Sequence, residues 1–293
     1  MPERIMPVIH DGFPAGYDCF FHSADLSYRL AYLRAHYPAP FLCARLANYG
    51  GFHHPAIYIA EAQRLGMAVK PPHVNLSQRH FTLTYDEHQP ILWMGLGQVR
   101  DLRRQTTKKM IAARKNAPFA SLSHLRRRVP IQPKELTHLI QCGALDGLGA
   151  NRASLLAEGK GQQAQVGQLG FAFLEGVKMP AESLQQRLQW EEHLLGFPVS
   201  AHPIQTKQAE WTDVTPISQL ATQLGNMVTI AGSKLPGWTG GKGFYFGDGT
   251  GYVSVLGIDE KQLRAWQPVC LQGRLVRGRW GSERFEVKRF KLL

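Results

Sequence analysis

Apolar residues follow a helical rhythm through roughly the first two thirds of the chain and a strand rhythm near its end. In SADLSYRLAYLRAHYPAPFLCARLANYGG, Leu26, Leu30, Leu33 and Tyr37 fall on one face of a 3.6-residue period. The spacing predicts a helix capped at Ser23, bent or stopped by Pro38 and Pro40, and a second over Phe41–Ala47 closed by Gly50-Gly51. Pro55 opens a third helix, which runs through Leu65 and ends at Gly66. Met67–Val69 reads as a short extended run. Phe81–Tyr85 and Ile91–Met94 read as strands on either side of a polar turn at Asp86–Pro90.

Pro118 and Pro130 divide the next stretch into short helices. Pro133 starts a helix through Ile140, a turn with three glycines follows (Gly143, Gly147, Gly149), and another helix begins near Asn151. Residues 157–180, which contain GKGQQAQVGQLG, have little to bury and read as a linker. A helix over Ala181–Leu195 ends at Gly196. From about Gly225 the pattern is all-β, with strands at Met227–Ser233, Phe244–Asp248, Tyr252–Gly257, Val269–Val276 and Phe285–Phe290. A short helix, Glu260–Trp266, lies between the third and fourth. Five strands with a helix there, in about seventy residues, is the plan of an OB barrel. The expected fold class is therefore α+β and multidomain. A mostly helical N-terminal part with helix-hairpin-helix units precedes a C-terminal five-stranded OB-fold β-barrel. The expected divisions are 1–90, 91–160, 161–205 and 206–293.

Composition narrows the function. A chain of 293 residues with 44% hydrophobic content suggests two or three folded units. A net charge of +12 favours a polyanionic partner, either nucleic acid or an anionic membrane. No apolar run reaches the roughly 18 residues needed to span a bilayer, and no apolar signal core opens the chain. The four cysteines (Cys19, Cys43, Cys142, Cys270) have no CxxC spacing and read as reduced thiols of a cytoplasmic protein. Cys19-x-x-His22 and His53-His54 lack the second pair that a structural zinc site needs, so no metal site is expected.

The candidate chemistry is cationic. GLGQVRDLRRQTTKKMIAARK (95–115) carries seven Lys or Arg among twenty-one residues. Such a run is either a solvated helix face or a phosphate-binding surface. Arg100, Arg103, Arg104, Lys108 and Lys109, followed by Arg126, Arg127 and Arg128, are the candidates for a duplex-backbone path. In the glycine turn, Gly143, Gly147 and Gly149 would let backbone amides converge at the start of the next helix, beside Asn151 and Arg152, and hold a phosphate without reading sequence. An ordinary tight turn between packed helices is the alternative. On the barrel, Trp238, Lys242, Tyr245 and Arg274 offer stacking surface with positive charge for a single strand, unless Trp238 and Tyr245 only cover the barrel. Gln168-Leu169-Gly170-Phe171-Ala172-Phe173 is an apolar plug inside the linker and reads as a docking peptide.

Several segments, in order, resemble the C-terminal half of the bacterial DNA polymerase III alpha family, replicative or error-prone. HSADLSYRLAYLRAHYPAPFL is similar to its fingers helix, and EAQRLGMAVKPPHVNLS to the segment that follows. KELTHLIQCGALDGLGANRASLL resembles its second helix-hairpin segment, and EEHLLGFPVSAHPI its Leu-Gly-Phe-x-x-Ser-x-His-Pro helix end. The resemblance implies a DNA-binding part, with primer-template duplex and single strand as partners. It also implies a sliding-clamp peptide at Gln168, Leu169, Phe171 and Phe173. Nucleotidyl transfer would belong to a palm domain whose carboxylates hold two Mg²⁺ ions. No acidic cluster in this chain could replace it, so no catalytic residue or cofactor is expected here, and a separate palm-bearing chain is a possible partner. The family's Gly-Val-Gly-Glu hairpin is replaced by Asp101-Leu102-Arg103-Arg104, which would shift phosphate contact onto arginines. Around His22 the spacing is one residue shorter, with Phe20-Phe21 in place of a basic residue. Met1–Pro14 has no counterpart, which leaves a split gene, a diverged paralogue or an excised fragment open. The alternative functions are a subunit completing a split polymerase and a non-catalytic interaction scaffold.

Overall fold

The computed structural model describes residues 15–48, 53–164, 180–237, 239, 241–278 and 282–293. α1 (Ala15–His36) and α2 (Pro38–Ala47) meet at Tyr37, because Pro38 suits the first turn of a new helix and cannot continue the old one. α2 thus starts three residues before the expected Phe41. The periodic stripe of α1 is not a buried face. Leu26 is 58% and Tyr37 54% exposed, while α1 packs chiefly on α2. α3 (Pro55–Arg64) is capped by His54, whose Nδ1 accepts the Ala56 amide at 3.2 Å, and Gly66 (φ +78°) follows its end.

β1 (Ala68–Lys70), β2 (Thr82–Asp86) and β3 (Gln89–Trp93) form a sheet in the order β1-β3-β2, with β1 parallel and β2 antiparallel to β3. The β2–β3 turn is only Glu87-His88, both at positive φ. It is tighter than the five-residue turn expected, because these two residue types do not advertise left-handed backbone. α4 (Arg104–Arg114), α5 (Leu122–Arg128), α6 (Pro133–Gln141), α7 (Arg152–Ala164) and α8 (Leu184–Leu195) complete the helical part. α7 runs into the stretch expected to be linker. Its Gly159 lies against Leu136 and Ile140 of α6, so this part of α7 is packed on its neighbour. One apolar core gathers α2, α3, β3 and α4–α7 with the Leu194–Val199 turn, so it crosses residue 90 without a break.

The last unit is a closed barrel of β4 (Met227–Leu235), β5 (Phe244–Gly247), β6 (Tyr252–Leu256), β7 (Pro268–Arg277) and β8 (Glu283–Leu292). Its order is β4-β5-β6-β8-β7, with β6 and β8 parallel and the rest antiparallel. Phe244, Phe246, Val255, Leu271 and Phe285 are completely buried inside it. The five strands and the α+β class stand as expected. The expected Glu260–Trp266 helix is only a 3-10 turn at Glu260–Gln262. Closure needs close backbone approach: a Cβ on Gly273 would fall 2.1 Å from the Glu286 carbonyl oxygen. Leu235 and Trp266 join the helical core, so barrel and helices share an apolar seam.

Candidate nucleic-acid interface

The stretch Asp101–Arg104 turns the chain into α4, with Arg103 at the N-cap. The carboxylate of Glu135, in the first turn of α6, sits against this corner. It accepts from the Arg103 amide (2.9 Å), Arg103 Nε (3.0 Å) and Nη2 (2.9 Å), Thr106 Oγ1 (2.9 Å) and the Gln132 amide (3.0 Å). Burial alone would raise its pKa, but these donors outweigh that and hold the carboxyl at about 2. An internal carboxylate therefore occupies the place where an anion would meet the start of α4. Arg103, expected on the DNA path, has the Nε–Nη2 edge of its guanidinium committed to that carboxylate.

Arg152 is likewise moved from the expected surface into the interior. Its side chain is 2% exposed. It forks onto Asp146 (Nε–Oδ1 2.9 Å, Nη2–Oδ2 2.8 Å), and its Nη1 reaches the Gln141 carbonyl at 3.0 Å and Glu191 at 3.5 Å. Glu191, fully buried on α8, also accepts the amides of Val199 and Ser200 at 2.8 Å and the Ser200 hydroxyl. Burial would lower the Arg152 pKa, but Asp146, Glu191 and Glu182 hold it above its ordinary value. One guanidinium thereby ties together both helices of the hairpin and α8. Gly143 (φ +84°) is the seat for it, since a Cβ there would meet Arg152 Nη2 at 2.3 Å. Its glycine serves packing rather than an open amide. Asn151 caps α7, its Oδ1 accepting the Ser154 amide at 2.7 Å. The rest of the turn is open: Gly147, Gly149 and Ala150 are exposed, and their amides donate no hydrogen bond within the described residues.

The remaining cations divide in two. Arg104, Lys108 and Lys109 stand on the exposed face of α4, opposite buried Thr106, Thr107 and Met110, and form no ion pair within the described residues. Arg127 is also exposed and Arg126 half-buried. Arg128 instead braces the α4–α5 loop: it donates to the carbonyls of Ala117 (2.7 Å) and Ala113 and lies 5.0 Å over the Phe119 ring. Arg100 is exposed and reaches the His193 carbonyl at 3.4 Å.

The barrel cluster does not assemble as expected. Tyr245 is half-buried at the seam with the helices, edge-on to His53 and to Tyr252, each at 5.8 Å. Its ring covers the barrel instead of offering an open stacking face. Arg274 is exposed on β7 but pairs in register with Met227 at the start of β4, whereas Tyr245 pairs with Leu235 at its end. Eight residues of strand put them about 26 Å apart. Lys242 is exposed in the β4–β5 loop. Trp238 and the docking peptide Gln168, Leu169, Phe171 and Phe173 lie outside the described residues.

The described residues hold no group of three His, Cys, Asp or Glu side chains able to bind a metal ion. The carboxylates of Glu135 and Glu191 are spent on neighbouring donors, so the Mg²⁺ chemistry implied by the resemblance has no fit in them. None of their helices is long and apolar enough to cross a membrane. The sequence reading missed Glu135 and Glu191. Glu135 carried a signal in the Gln132-x-x-Glu135 capping spacing, whereas nothing local marked Glu191.

Residues 66–155 match the family model described as a helix-hairpin-helix motif, which spans the sheet, α4–α6 and the start of α7. An error-prone DNA polymerase of Alkalilimnicola ehrlichii is 29% identical over 285 residues, 92% of this chain and 27% of the relative. One from Saccharophagus degradans is 28% identical over 287 residues, again 92% of this chain and 28% of the relative. The chain is a relative of the error-prone and III-alpha DNA polymerases. DNA polymerase III subunit alpha of Thermus aquaticus is 32% identical over 200 residues, 61% of this chain and 16% of the relative. The chain thus spans about a quarter of the length of the two error-prone polymerases it matches along most of its own length.

Proposed function

We propose that this chain is the DNA-gripping portion of a polymerase III alpha-type protein and does not join nucleotides by itself. The observation that carries the reading is the exposed cation ridge of Arg104, Lys108 and Lys109 within the helix-hairpin-helix region, without an ion pair among the described residues. The ridge would neutralise duplex phosphates. The open amides of Gly147, Gly149 and Ala150 would hold one more phosphate at the start of α7. Lys242 and Arg274 contribute positive charge on the barrel for a single strand, at two separate places. The segment Gln168–Phe173 would dock a sliding clamp, and the setting is cytoplasmic. Mg²⁺ and bond formation belong to a palm-bearing polypeptide.

The test is fluorescence anisotropy of primer-template DNA titrated with the full chain across salt concentration. The triple variant Arg104→Glu/Lys108→Glu/Lys109→Glu should bind more weakly. Its slope of log affinity against log salt should be shallower by about 2 to 3, near 0.9 for each phosphate that is no longer neutralised. Unchanged affinity and slope would refute the reading and favour an interaction scaffold. A second reading is a subunit of a split polymerase. Primer extension appearing only on mixing with a palm-bearing chain would support it.

A further inference from the structure

In five-stranded OB barrels nucleic acid usually lies across the second and third strands, which here are β5 and β6. In this chain that face is taken. Tyr245 of β5 and Tyr252 of β6 alternate with buried barrel residues and pack against the core of the helical part. His53, at the approach to α3, stands edge-on to Tyr245 at 5.8 Å. Gly237, just past β4, touches the same helix: a Cβ there would lie 3.1 Å from His54 and 3.4 Å from Ile57. Burial pushes the Tyr252 hydroxyl up to about 12, with the charge of Glu61 on α3 adding to the shift. A nucleic-acid strand would have to displace α3 to reach these rings.

The wall made by β7 and β8 is open and cationic. Strand pairing sets its outward rows: Cys270 with Lys291, Gln272 with Arg289, Arg274 with Glu286, and Val276 with Arg284. These alternate with Leu271, Leu275 and Phe285, which are buried inside the barrel. A bulge opposite Gln272 and Gly273 adds Lys288, which is exposed as well. Arg274, Arg284, Lys288, Arg289 and Lys291 are all exposed and form no ion pair among the described residues. Burial raises the Cys270 thiol pKa and the Lys291 charge lowers it, as expected of an ammonium on the outward side of β7. Glu286 is the one carboxylate in these rows, and it makes no ion pair among the described residues either. Glu283, at the edge, is bound to Arg277 at 2.7 Å. Five exposed cations therefore share the wall with a single carboxylate.

The outward rows run about 20 Å along β7 from Cys270 to Val276. One strand of a duplex carries a charge about every 3.4 Å, so the wall can meet several consecutive phosphates. The rows hold no aromatic ring. Between the cations lies Gln272, and the neighbouring β4 adds Thr229 and Met227. Bases find no stacking platform there, whereas phosphates find arginine and lysine donors that read no sequence. We infer that the β7–β8 wall is a second DNA site, one that holds the phosphodiester backbone in place of the covered β5–β6 face. The inference rests on the DNA-gripping reading for the identity of the polyanion, and it joins Arg274 to the four β8 cations as one surface.

The test is anisotropy of a labelled single-stranded oligonucleotide, and separately of a duplex, titrated with the full chain across salt concentration. The variant Arg274→Gln/Arg289→Gln/Lys291→Gln removes three charges from the wall and keeps its outward positions polar. The control Lys70→Gln/Lys261→Gln/Arg264→Gln lowers the net charge equally at exposed positions away from those rows. Losing three phosphate contacts should make the slope of log affinity against log salt shallower by about 2 on the single strand or about 3 on the duplex. The DNA form that shows the loss is the one seated on the wall, and a loss with both means that it accepts either. The control should keep the parent's slope, and so should Arg274→Lys/Arg289→Lys, which preserves the charges. Circular dichroism melts establish that the triple variant is folded. Should it not fold, Arg289→Gln alone carries the test, with a slope loss of about 0.7 to 0.9. An unchanged slope in the folded wall variant, or an equal loss in the control, would overturn the wall as a site. In that event a surviving effect of the α4 triple variant would keep the DNA reading intact. A parent chain that binds neither DNA form would sink the DNA reading and the wall together.

Discussion

Replacing Arg152 by Met separates a structural keystone from a surface phosphate contact. The substitution removes the fork onto Asp146, the bond to the Gln141 carbonyl and the 3.5 Å pairing with Glu191. Asp146 is 45% exposed and can be rehydrated at little cost. Glu191 cannot: it is completely buried and keeps only the Val199 and Ser200 donors, with no countercharge. Breaking one side of a buried pair costs about 3–5 kcal/mol. At about 2–4 °C per kcal/mol for a domain of 150–250 residues, the Tm should fall by about 6–20 °C. Arg152→Lys should recover little, because an ammonium cannot span Asp146 and the Gln141 carbonyl together. Circular dichroism melts of the three proteins provide the comparison, with DNA anisotropy at two salt concentrations beside them. A surface phosphate contact would behave in the opposite way. The Tm would stay within a degree or two of the parent, the salt slope would fall by about 0.9, and Lys would substitute well. That outcome would refute the keystone assignment.

The Glu135 carboxyl provides a pH test. Its folded pKa is depressed from 4.5 to about 2, so its contribution is complete above pH 4.5 and disappears as pH falls toward 2. Arg103 is 48% exposed, and screening trims the contribution to about 1–2 kcal/mol. Glu135→Gln should therefore lower the Tm at pH 7, and the gap to the parent should close between pH 4.5 and 2. A gap independent of pH would show that shape rather than charge matters there. Gly147→Ala places a methyl at φ +85° in open space and should cost about 1–2 kcal/mol by chemical denaturation. Gly143→Ala adds a collision with Arg152 to the same backbone strain and should cost clearly more; equal costs would contradict the packing role of Gly143.

Local pattern and chemistry determined much of this protein. The residues of the barrel alternate inward and outward, so the five strands and their closure were legible once Phe244 and Phe246 were read as one face and Tyr245 as the other. Pro38, Pro55, Pro133, Gly66 and Gly196 placed helix boundaries, because proline and glycine act through their own backbone geometry whatever the neighbours. The ordered segments pointed to the polymerase relatives for a similar reason, since each carries its message in adjacent residues. Partner choice was not legible. Arg103 and Arg104 are neighbours of the same type, yet one faces a buried carboxylate from α6 and the other faces solvent. Arg152 looked like part of a basic turn until the fold brought Glu191 from 39 positions away to meet it. Tyr245 and Arg274 share a barrel but stand at opposite ends of β4. Periodicity reports which side of an element is apolar, whereas ion pairs, orphaned donors and cavities depend on distances between residues far apart in the chain, and only folding sets those.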